Sequence, residues 1–285
     1  MTAESITHRG ADADNTPSRG TGSRHPIAGH GRSTGTASDL AELLCASESA
    51  VVLTGAGISV PSGIPDFRSP GTGVWAGVDP MEVAHIDAWR GDPDRFWRFY
   101  GERFASLIDK RPNRAHEAVA ELERRGLVRG VITQNIDRLH RMAGSRHVVE
   151  MHGTIEWSRY MSCGGRVQLD RVVELLSTGE GAPECAACIT PLKPDVVLFG
   201  EMLPPMAMAQ AQQLAAEADL MICIGSSLIV HPVAALPGIT RAAGGRLALV
   251  TEGETPYDTE AHVKLGGDVV GELEAVLAAL PGVQS

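Results

Sequence analysis

Residues 51–59 have the sequence VVLTGAGIS, in which a short apolar run leads directly into Gly-x-Gly. A run of this kind is typical of a buried strand that turns sharply into a helix. Glycine at positions 55 and 57 lets backbone amides approach a pyrophosphate at the N-terminus of that helix. The segment therefore predicts a nucleotide-binding turn, and a tight turn without a ligand is the alternative.

The segment after this turn differs from the dinucleotide fingerprint of dehydrogenases. That fingerprint has a third Gly or Ala where this chain has Val60, then a full helix, a second strand and an acidic residue about 20 positions on. Pro61, Pro65 and Pro70 instead limit the helix to a short piece followed by an extended loop, which argues against hydride transfer. At 66–68 the loop places an acid, an aromatic ring and a base side by side. This suits a mobile lid over a ribose, with a solvated loop as the alternative.

Further apolar runs recur along the chain and alternate with helical patterns. The runs are bounded by glycine or polar residues and lie at Val131–Thr133, Val148–Met151, Leu220–Ile224 and Leu247–Val250. The helical patterns include His116–Arg125 and Met206–Ala218. Strands separated by helices in this way predict a parallel sheet buried on both faces, which is an α/β architecture.

Local composition divides the chain into three parts. Residues 1–37 contain only three large apolar side chains and predict a disordered polar tail, with Ser38 as the expected N-cap of the first helix. Residues 38–156 and 193–285 carry the alternating strands and helices of a sheet domain. Residues 157–192 break this alternation with four glycines and three cysteines, which predicts a small inserted module.

The overall composition excludes several classes of protein. The chain has 285 residues, of which 43% are hydrophobic and 21% charged, as in a globular enzyme with a sizeable core. It shows neither an apolar stretch of membrane-spanning length nor a signal-peptide pattern, so we expect a cytoplasmic protein without a membrane partner. A formal net charge of −10 argues against a nucleic-acid partner, because phosphate binding needs a basic surface. Five cysteines favour reduced thiols or a metal site over a disulfide framework.

Polar side chains follow two of the predicted strands. Gln134, Asn135 and Asp137 come directly after the strand at 131–133, at the edge where open α/β sheets bind ligands. A helix N-cap would account for Asn135 or Asp137 without any ligand. His152 follows the next run. With an ordinary pKa of about 6.5 it would act as a general base if it faced a ribose hydroxyl, and a structural role is the alternative.

Together these segments resemble sirtuins. The motifs GAGIS at 55–59, GIPDFR at 63–68, TQNIDRLH at 133–140, HG at 152–153 and GSS at 225–227 occur in the order found in that family, and the resemblance covers about residues 38–280. It implies a Rossmann-like NAD-binding domain with a small zinc-binding insertion. It also implies that acyl groups are removed from lysines of partner proteins with NAD as co-substrate, giving free lysine, nicotinamide and O-acyl-ADP-ribose.

The resemblance implies a role for each matching residue. His152 would deprotonate a ribose hydroxyl, with Asn135 and Asp137 as further catalytic residues at the nicotinamide pocket. The residues implied to contact NAD are Gly55, Ala56, Gly57, Ser59, Asp66, Phe67, Arg68, Gln134, Asn135, Asp137, Gly225, Ser226, Ser227, Thr251, Glu252, Gly253 and Val269. The substrate peptide would pair with the extended segment 196–201, at Phe199, Gly200 and Glu201, by main-chain hydrogen bonds; an ordinary buried strand is the alternative.

Two positions depart from the family pattern. A closed zinc site has two Cys-x-x-Cys pairs, but here Tyr160 stands in place of the first cysteine. Zinc would then be held by Cys163, Cys185 and Cys188, with water, a histidine or nothing as fourth ligand, and a metal-free module is the alternative. Thr251 stands where the family usually has asparagine, which predicts fewer hydrogen bonds to the adenosine ribose and weaker NAD affinity.

The helical stretch 95–103 bears on the choice of acyl group. Tyr100 and Arg103 are three positions apart and therefore share one helix face. Sirtuins that remove succinyl or malonyl groups have a similar Tyr-x-x-Arg pair that holds the distal carboxylate, which favours an acidic acyl group beside acetyl. The alternative is two ordinary helix residues and plain acetyl-lysine as substrate.

Two other functions stay open at this point, ADP-ribosyl transfer to a protein and NAD binding without catalysis. Formation of acyl-ADP-ribose would separate deacylation from ADP-ribosyl transfer. The presence of His152 together with Asn135 and Asp137 argues against a silent module, because a sensor needs no base. The sequence gives no indication of the oligomeric state.

Overall fold

The computed structural model of the chain describes residues 34–66, 79–179 and 181–281. The described helices are α1 (Ala37–Cys45), α2 (Pro80–Val83), α3 (Ile86–Gly91), α4 (Pro93–Ile108), α5 (Arg114–Arg124), α6 (Leu139–Met142), α7 (Leu169–Thr178), α8 (Pro205–Glu217), α9 (Leu236–Ala242) and α10 (Val269–Ala279). The described strands are β1 (Ala50–Thr54), β2 (Val128–Thr133), β3 (Val148–Glu150), β4 (Gly153–Tyr160), β5 (Arg166–Gln168), β6 (Leu192–Val196), β7 (Leu220–Ile224), β8 (Arg246–Val250) and β9 (Val263–Leu265).

Six strands form a parallel sheet in the order β3-β2-β1-β7-β8-β9. Counted along this sheet alone, the order is the 3-2-1-4-5-6 of a doubly wound Rossmann sheet. The winding reverses between β1 and β7, so the carboxyl ends of these two strands border the crevice where such sheets bind ligands. The predicted α/β architecture is confirmed, and each predicted apolar run forms a strand of this sheet.

Strand β9 was not predicted from the sequence. It has only three residues, and its central residue is Lys264, so the apolar run that would mark a buried strand is missing. All three residues are nevertheless buried at the edge of the sheet beside β8.

Alternate side chains of β1, β7 and β8 enter two different cores. In β1, Val52 belongs to the core that includes side chains of α1, α5 and α10, whereas Val51 and Leu53 belong to the core that includes side chains of α8 and α9. All five residues of β1 are buried. Burial on both faces explains why the strand is continuously apolar and does not alternate with polar residues.

The first helix begins two residues earlier than the sequence predicted. Thr36 caps α1, because its hydroxyl accepts from the Asp39 amide at 3.3 Å while the Asp39 carboxylate accepts from the Thr36 amide at 2.7 Å. This reciprocal capping box fixes the start of the helix, so the prediction of Ser38 as N-cap was wrong. The Thr34 amide also donates to the Lys264 carbonyl at 3.0 Å, so residues 34–37 of the predicted tail belong to the fold.

A second sheet contains the cysteine-bearing segment. Its three strands are antiparallel in the order β5-β4-β6. Trp89 of α3 and Trp97 of α4 both donate their indole N–H to the Leu192 carbonyl, at 3.0 and 2.7 Å, and share a core with α7. This core therefore extends beyond residues 157–192, because helices distant in sequence pack on the module. The domain boundaries given above stay a prediction. Within the described ranges, no helix is both long and apolar enough to cross a membrane.

Candidate active site

A cavity of about 1580 Å³ runs along the carboxyl ends of β1, β2, β7 and β8 and reaches the segment after β6. The predicted site residues that line it are Gly55, Ala56, Gly57, Asp66, Tyr100, Gln134, Asn135, His152, Phe199, Gly200, Glu201, Gly225, Ser226, Ser227, Thr251, Glu252, Gly253 and Val269. Ser59, Asp137 and Arg103 do not line it, and Phe67 and Arg68 lie outside the described residues. The fold thus brings motifs from five separate parts of the sequence to one cavity.

Glycines allow the turns after β1 and β7 to touch at the point where the winding reverses. The Gly57 amide donates to the Gly225 carbonyl at 2.8 Å, and a Cβ on Gly57 would lie 2.7 Å from the Gly225 Cα. Gly225 has φ of 60°, a conformation that favours glycine. The short helix predicted here is the 3-10 helix Ala56–Ser62, which contains Pro61. Both turns are therefore narrow, and their backbone borders the cavity.

Behind this turn, the Ser59 hydroxyl bonds to both Asp137 and Asn135, the acid and the amide that the sequence pointed to. The buried hydroxyl donates to the Asp137 carboxylate at 2.7 Å, and the Asn135 side-chain amide donates to the Ser59 oxygen and to the Gly55 carbonyl, each at 3.1 Å. The other Asp137 oxygen accepts from the Leu139 amide at 2.9 Å, but the N-cap of α6 is Arg138, so neither Asn135 nor Asp137 is the N-cap. Burial raises the pKa of Asp137, and the bonds from Ser59 and Leu139 oppose that rise. Asp137 therefore supports Asn135 from behind and does not face the cavity.

His152 lies between β3 and β4, and one of its ring nitrogens is hydrogen-bonded to the backbone. Its Nδ1 is 2.7 Å from the Gln134 carbonyl oxygen, which can only accept, so Nδ1 carries the proton and Nε2 is left as a base. Burial lowers the pKa of His152, and the bond to Gln134 partly opposes this. The Gln134 side chain in turn donates to Ser226 at 2.8 Å. The ring is therefore fixed in the orientation and protonation state of a general base.

The segment after β6 forms the opposite wall. The strand predicted over 196–201 ends at Val196, and Phe199 makes only an isolated bridge beside His85. The Phe199 amide and carbonyl bond to Ala84 and Ile86, both at 2.9 Å, and the Val197 amide donates to the His152 carbonyl at 2.9 Å. This wall is therefore an extended segment held at both sides, and the backbone of His152 is one of its supports.

Tyr100 and Arg103 lie on the same helix, but only the Tyr100 side chain lines the cavity. Tyr100 is buried, lines the cavity beside Phe104, and has its pKa raised by burial. The Arg103 guanidinium instead lies 3.6 Å from the centre of the Phe99 ring and donates to the Phe99 carbonyl at 2.6 Å. The cation–π contact and the carbonyl thus hold Arg103 outside the cavity, and the shared carboxylate clamp with Tyr100 stays a prediction.

Comparison with known proteins gives the family. The model of the Sir2 family matches residues 55–232, which is more than half of the chain. This chain belongs to the Sir2 family. An NAD-dependent protein deacetylase of Sulfolobus acidocaldarius is 46% identical over 80% of this sirtuin and 88% of the relative. One of Thermotoga maritima is 44% identical over 80% and 92%, and an NAD-dependent protein deacylase of Pyrobaculum aerophilum is 46% identical over 73% and 82%.

Solved structures show the same fold. A Sir2 protein with a p53 peptide and NAD+ superposes with a TM-score of 0.79 at 42% identity, covering 84% of this sirtuin and 96% of that chain. A Sir2 protein bound to a propionylated peptide superposes with a TM-score of 0.77 at 42% identity and the same coverage. The Rossmann-like architecture with a smaller second unit is therefore confirmed.

Three cysteines of this sirtuin form a candidate metal centre. The sulfur atoms of Cys163, Cys185 and Cys188 all lie within 4.8 Å of one another, and those of Cys163 and Cys185 are 3.8 Å apart. Zinc–sulfur bonds of about 2.3 Å in tetrahedral geometry place sulfurs about 3.8 Å apart, so the cluster fits zinc. Among the described residues, no fourth Cys, His, Asp or Glu completes the group. Tyr160 lies beside it, since a side chain at Gly165 would meet Cys163 sulfur at 3.4 Å and the Tyr160 ring at 3.5 Å.

Two buried histidines behind the site were missed from the sequence. His140 Nε2 is 2.9 Å from the Thr54 hydroxyl, His116 Nε2 is 3.4 Å from the Ser59 hydroxyl, and the two rings are 5.0 Å apart. Burial lowers the pKa of His116 to about 4 and that of His140 to about 3, so both are neutral near pH 7. Asn113 and His116 form a capping box at the start of α5, the one local signal that could have drawn attention to His116.

Proposed function

We propose that this sirtuin removes acyl groups from lysine side chains of proteins and consumes NAD, with free lysine, nicotinamide and O-acyl-ADP-ribose as products. The single observation that carries the proposal is one cavity that joins the glycine turns at Gly55 and Gly225 to the free Nε2 of His152. Relatives named NAD-dependent protein deacetylase or deacylase, and Sir2 structures with NAD+ and acylated peptides, support the same chemistry.

The nucleotide would occupy the side of the cavity formed by the parallel sheet. NAD supplies an activated ribose carbon that carries nicotinamide. The Ala56 amide and the amides and hydroxyls of Ser226 and Ser227 would face its phosphates, since the amides of Gly55, Gly57 and Gly225 already donate to backbone carbonyls. Thr251 to Gly253 with Val269 would face the adenosine end. Thr251 offers only a hydroxyl from its side chain, so the predicted weaker NAD affinity stays a prediction.

Asn135 would orient the nicotinamide end. Both bonds from its side-chain nitrogen are directed to Gly55 and Ser59, so its carbonyl oxygen is the group left to meet a carboxamide N–H of the ligand. Asp137 would act through Ser59 and Asn135, because it does not itself reach the cavity. We therefore assign Asn135 to ligand contact, and Ser59 and Asp137 to positioning.

His152 would take a proton from a ribose hydroxyl. Its Nδ1–H is fixed on the Gln134 carbonyl, so Nε2 presents a lone pair at neutral pH. Burial holds the pKa of His152 below its ordinary value, which keeps this nitrogen unprotonated at cellular pH. Turnover should consequently decline as the pH is lowered through that depressed pKa.

The acyl-lysine would enter along the segment 196–201, with the acyl group directed toward Tyr100 and Phe104. An acidic acyl group would need Arg103 to leave Phe99 and reach the cavity. Succinyl or malonyl removal beside acetyl removal therefore stays a prediction, and so does the choice of protein partners. The absence of nucleic-acid and membrane partners and the cytoplasmic location likewise stay predictions.

Zinc would be held by the three cysteines as a structural ion in the second unit, away from the residues that line the cavity. When bound it supplies a cross-link between the β4–β5 turn and the 185–188 turn. The fourth position would be taken by water or stay empty, since no histidine completes the group among the described residues.

The decisive experiment incubates the purified protein with NAD and matched acetyl-lysine and succinyl-lysine peptides, and follows nicotinamide and acyl-ADP-ribose by mass spectrometry. We expect both products from the wild type, loss of turnover in His152→Ala with NAD still bound, and normal turnover in His147→Ala. His147 is a suitable matched control, because its side chain is 76% exposed and it does not line the cavity.

The alternatives give different products in the same experiment. Nicotinamide release with an ADP-ribosylated protein and no acyl-ADP-ribose would support ADP-ribosyl transfer. NAD binding without release of nicotinamide would support a silent module. Unchanged turnover in His152→Ala would remove this residue from the mechanism.

A further inference from the structure

This sirtuin has only three lysines, and two of them are almost completely buried. Lys193 is 5% exposed and Lys264 is 1% exposed. A buried ammonium group is costly unless its N–H groups are all directed at acceptors, one of them charged. Both buried lysines do have such acceptors, and in each case one acceptor is a carboxylate.

Lys193 holds together residues 194–201, part of which forms the wall of the cavity along which the peptide is proposed to bind. Its ammonium donates to the carbonyl oxygens of Pro194 at 3.2 Å and Val196 at 2.9 Å, and it pairs with the Glu201 carboxylate at 2.9 Å. The same Glu201 oxygen accepts from the Leu198 amide at 2.9 Å. The three N–H groups of Lys193 are thus directed at three acceptors in one stretch of eight residues.

Lys264 holds the loop after β8, at the proposed adenosine end of the cavity, by bonds to Gly253 and Asp258. Its ammonium, at the centre of β9, donates to the Gly253 carbonyl at 2.9 Å and to the Asp258 carboxylate at 2.6 Å. The other Asp258 oxygen accepts from the Thr255 amide at 3.1 Å and from its hydroxyl at 2.8 Å. Gly253 and its neighbour Glu254 line the cavity, so Lys264 holds that wall from beneath.

Neither lysine lines the cavity, and the two share no partner. Each acts on one wall only. Lys193 holds the segment that also bonds to the His152 backbone, and Lys264 holds the loop after β8. Removing the Lys193 ammonium would release the Pro194 and Val196 carbonyls and leave the Gly253 carbonyl bound. Removing the Lys264 ammonium would do the opposite.

We propose that Lys193 and Lys264 are positioning residues for different substrates, Lys193 for the acyl-lysine peptide and Lys264 for the adenosine half of NAD. The inference rests on the proposed function for the assignment of the two walls. It predicts that each lysine variant raises the KM of one substrate only. A merely structural role would not give this pattern, because general destabilisation would affect both substrates alike.

The test compares Lys193→Met with Lys264→Met, which keep a long apolar side chain and remove only the ammonium. KM is measured separately for an acetyl-lysine peptide and for NAD from nicotinamide release. For Lys193→Met we expect the peptide KM to rise about tenfold, with the NAD KM within about twofold of the wild type, and for Lys264→Met the reverse. Thermal unfolding of each variant establishes that the measured protein is folded.

Milder variants keep the test available if a methionine variant does not fold. Glu201→Gln and Asp258→Asn retain the shape of each acceptor and weaken its bond to the ammonium, so each should shift the same KM in the same direction by less. Equal rises in both KM values for either lysine, or unchanged KM values with lower thermal stability, would overturn the inference.

Failure of the proposed function has a different signature. A wild-type protein that releases no nicotinamide would overturn that function alone, because calorimetric titration with NAD still compares Lys264→Met with Lys193→Met. Weaker NAD binding confined to Lys264→Met supports the inference there, and equal binding by both variants overturns it. An exchanged pattern of KM values would overturn the assignment of the walls and the inference with it.

Discussion

Ser59 donates a 2.7 Å hydrogen bond to Asp137, and neither side chain lines the cavity that their motifs were expected to form. Asn135 lines the cavity in front of them, and its side-chain nitrogen donates to the Ser59 oxygen. We therefore expect the two residues to act on the proposed nicotinamide end of the site through Asn135. This arrangement makes their contribution separable from direct contact.

Ser59→Ala should lower kcat more than it weakens NAD binding. The change leaves the buried Asp137 carboxylate without its hydroxyl donor and removes one of the two acceptors that hold the Asn135 amide, so we expect kcat to fall about tenfold or more. Steady-state kinetics and NAD titration give the two quantities, and Ser62→Ala, at the far end of the same 3-10 helix, is the control. An equal loss in NAD affinity would indicate direct contact.

Phe99→Leu should raise the ratio of succinyl-lysine to acetyl-lysine turnover. It removes the ring on which the Arg103 guanidinium lies at 3.6 Å, so that Arg103 is freer to meet a distal carboxylate near Tyr100. Arg103→Met should lower the same ratio and leave acetyl turnover within about twofold. Kinetics with the two matched peptides measure the ratio. A ratio that neither variant changes would make both residues ordinary parts of α4.

Tyr160→Cys should retain zinc longer than the wild type. It adds a fourth thiolate beside three sulfurs that already lie within 4.8 Å of one another, so release to a chromogenic chelator should slow by at least about tenfold. Tyr160→Phe is the matched control, because it removes the hydroxyl without adding a ligand. Release slowed equally by both variants would show that the phenol, and not the missing thiolate, limits retention.

Gly225→Ala should destabilise the fold and weaken NAD binding. An added Cβ would overlap the Ile58 amide and lie 2.7 Å from the Gly57 carbonyl carbon, in a backbone with φ of 60°. Gly244→Ala is the control, since its φ is also positive at 90° but nothing lies within 4 Å of the added atom. We expect a cost of about 1 kcal/mol at Gly244 and of several kcal/mol at Gly225 from urea unfolding. Equal costs would mean that the two turns are free to separate.

The buried histidines should make stability depend on pH. The folded-state pKa is about 4 for His116 and about 3 for His140, both below the ordinary value, so the unfolded chain takes up protons first as the pH falls. The free energy of unfolding should therefore decrease from about pH 6.5 toward pH 4, by up to about 1.4 kcal/mol per pH unit for each histidine.

His140→Gln should flatten this dependence, because glutamine keeps a partner for Thr54 and does not titrate. Urea unfolding at several pH values measures the slope, with the exposed His147→Gln as control. If His140→Gln had the same slope as the wild type, His140 would not contribute to the pH dependence of stability.

The sequence by itself determined the α/β sheet, because strands buried on both faces must be continuously apolar and their runs are visible at 51–53, 131–133 and 220–224. It also determined the family, because the order of short motifs depends on no three-dimensional information. Cysteine spacing and the substitution at Tyr160 likewise anticipated a cluster of three thiols.

Only the tertiary structure decided which residues of each motif reach the cavity. Ser59 and Asp137 fall behind Asn135, and Arg103 lies on Phe99 while Tyr100, three residues earlier, lines the wall. Direction of a side chain depends on packing partners that come from distant segments, which local periodicity does not record. The same reason hid Lys193 and Lys264, since a lysine is buried only where the folded chain supplies its carbonyl and carboxylate acceptors.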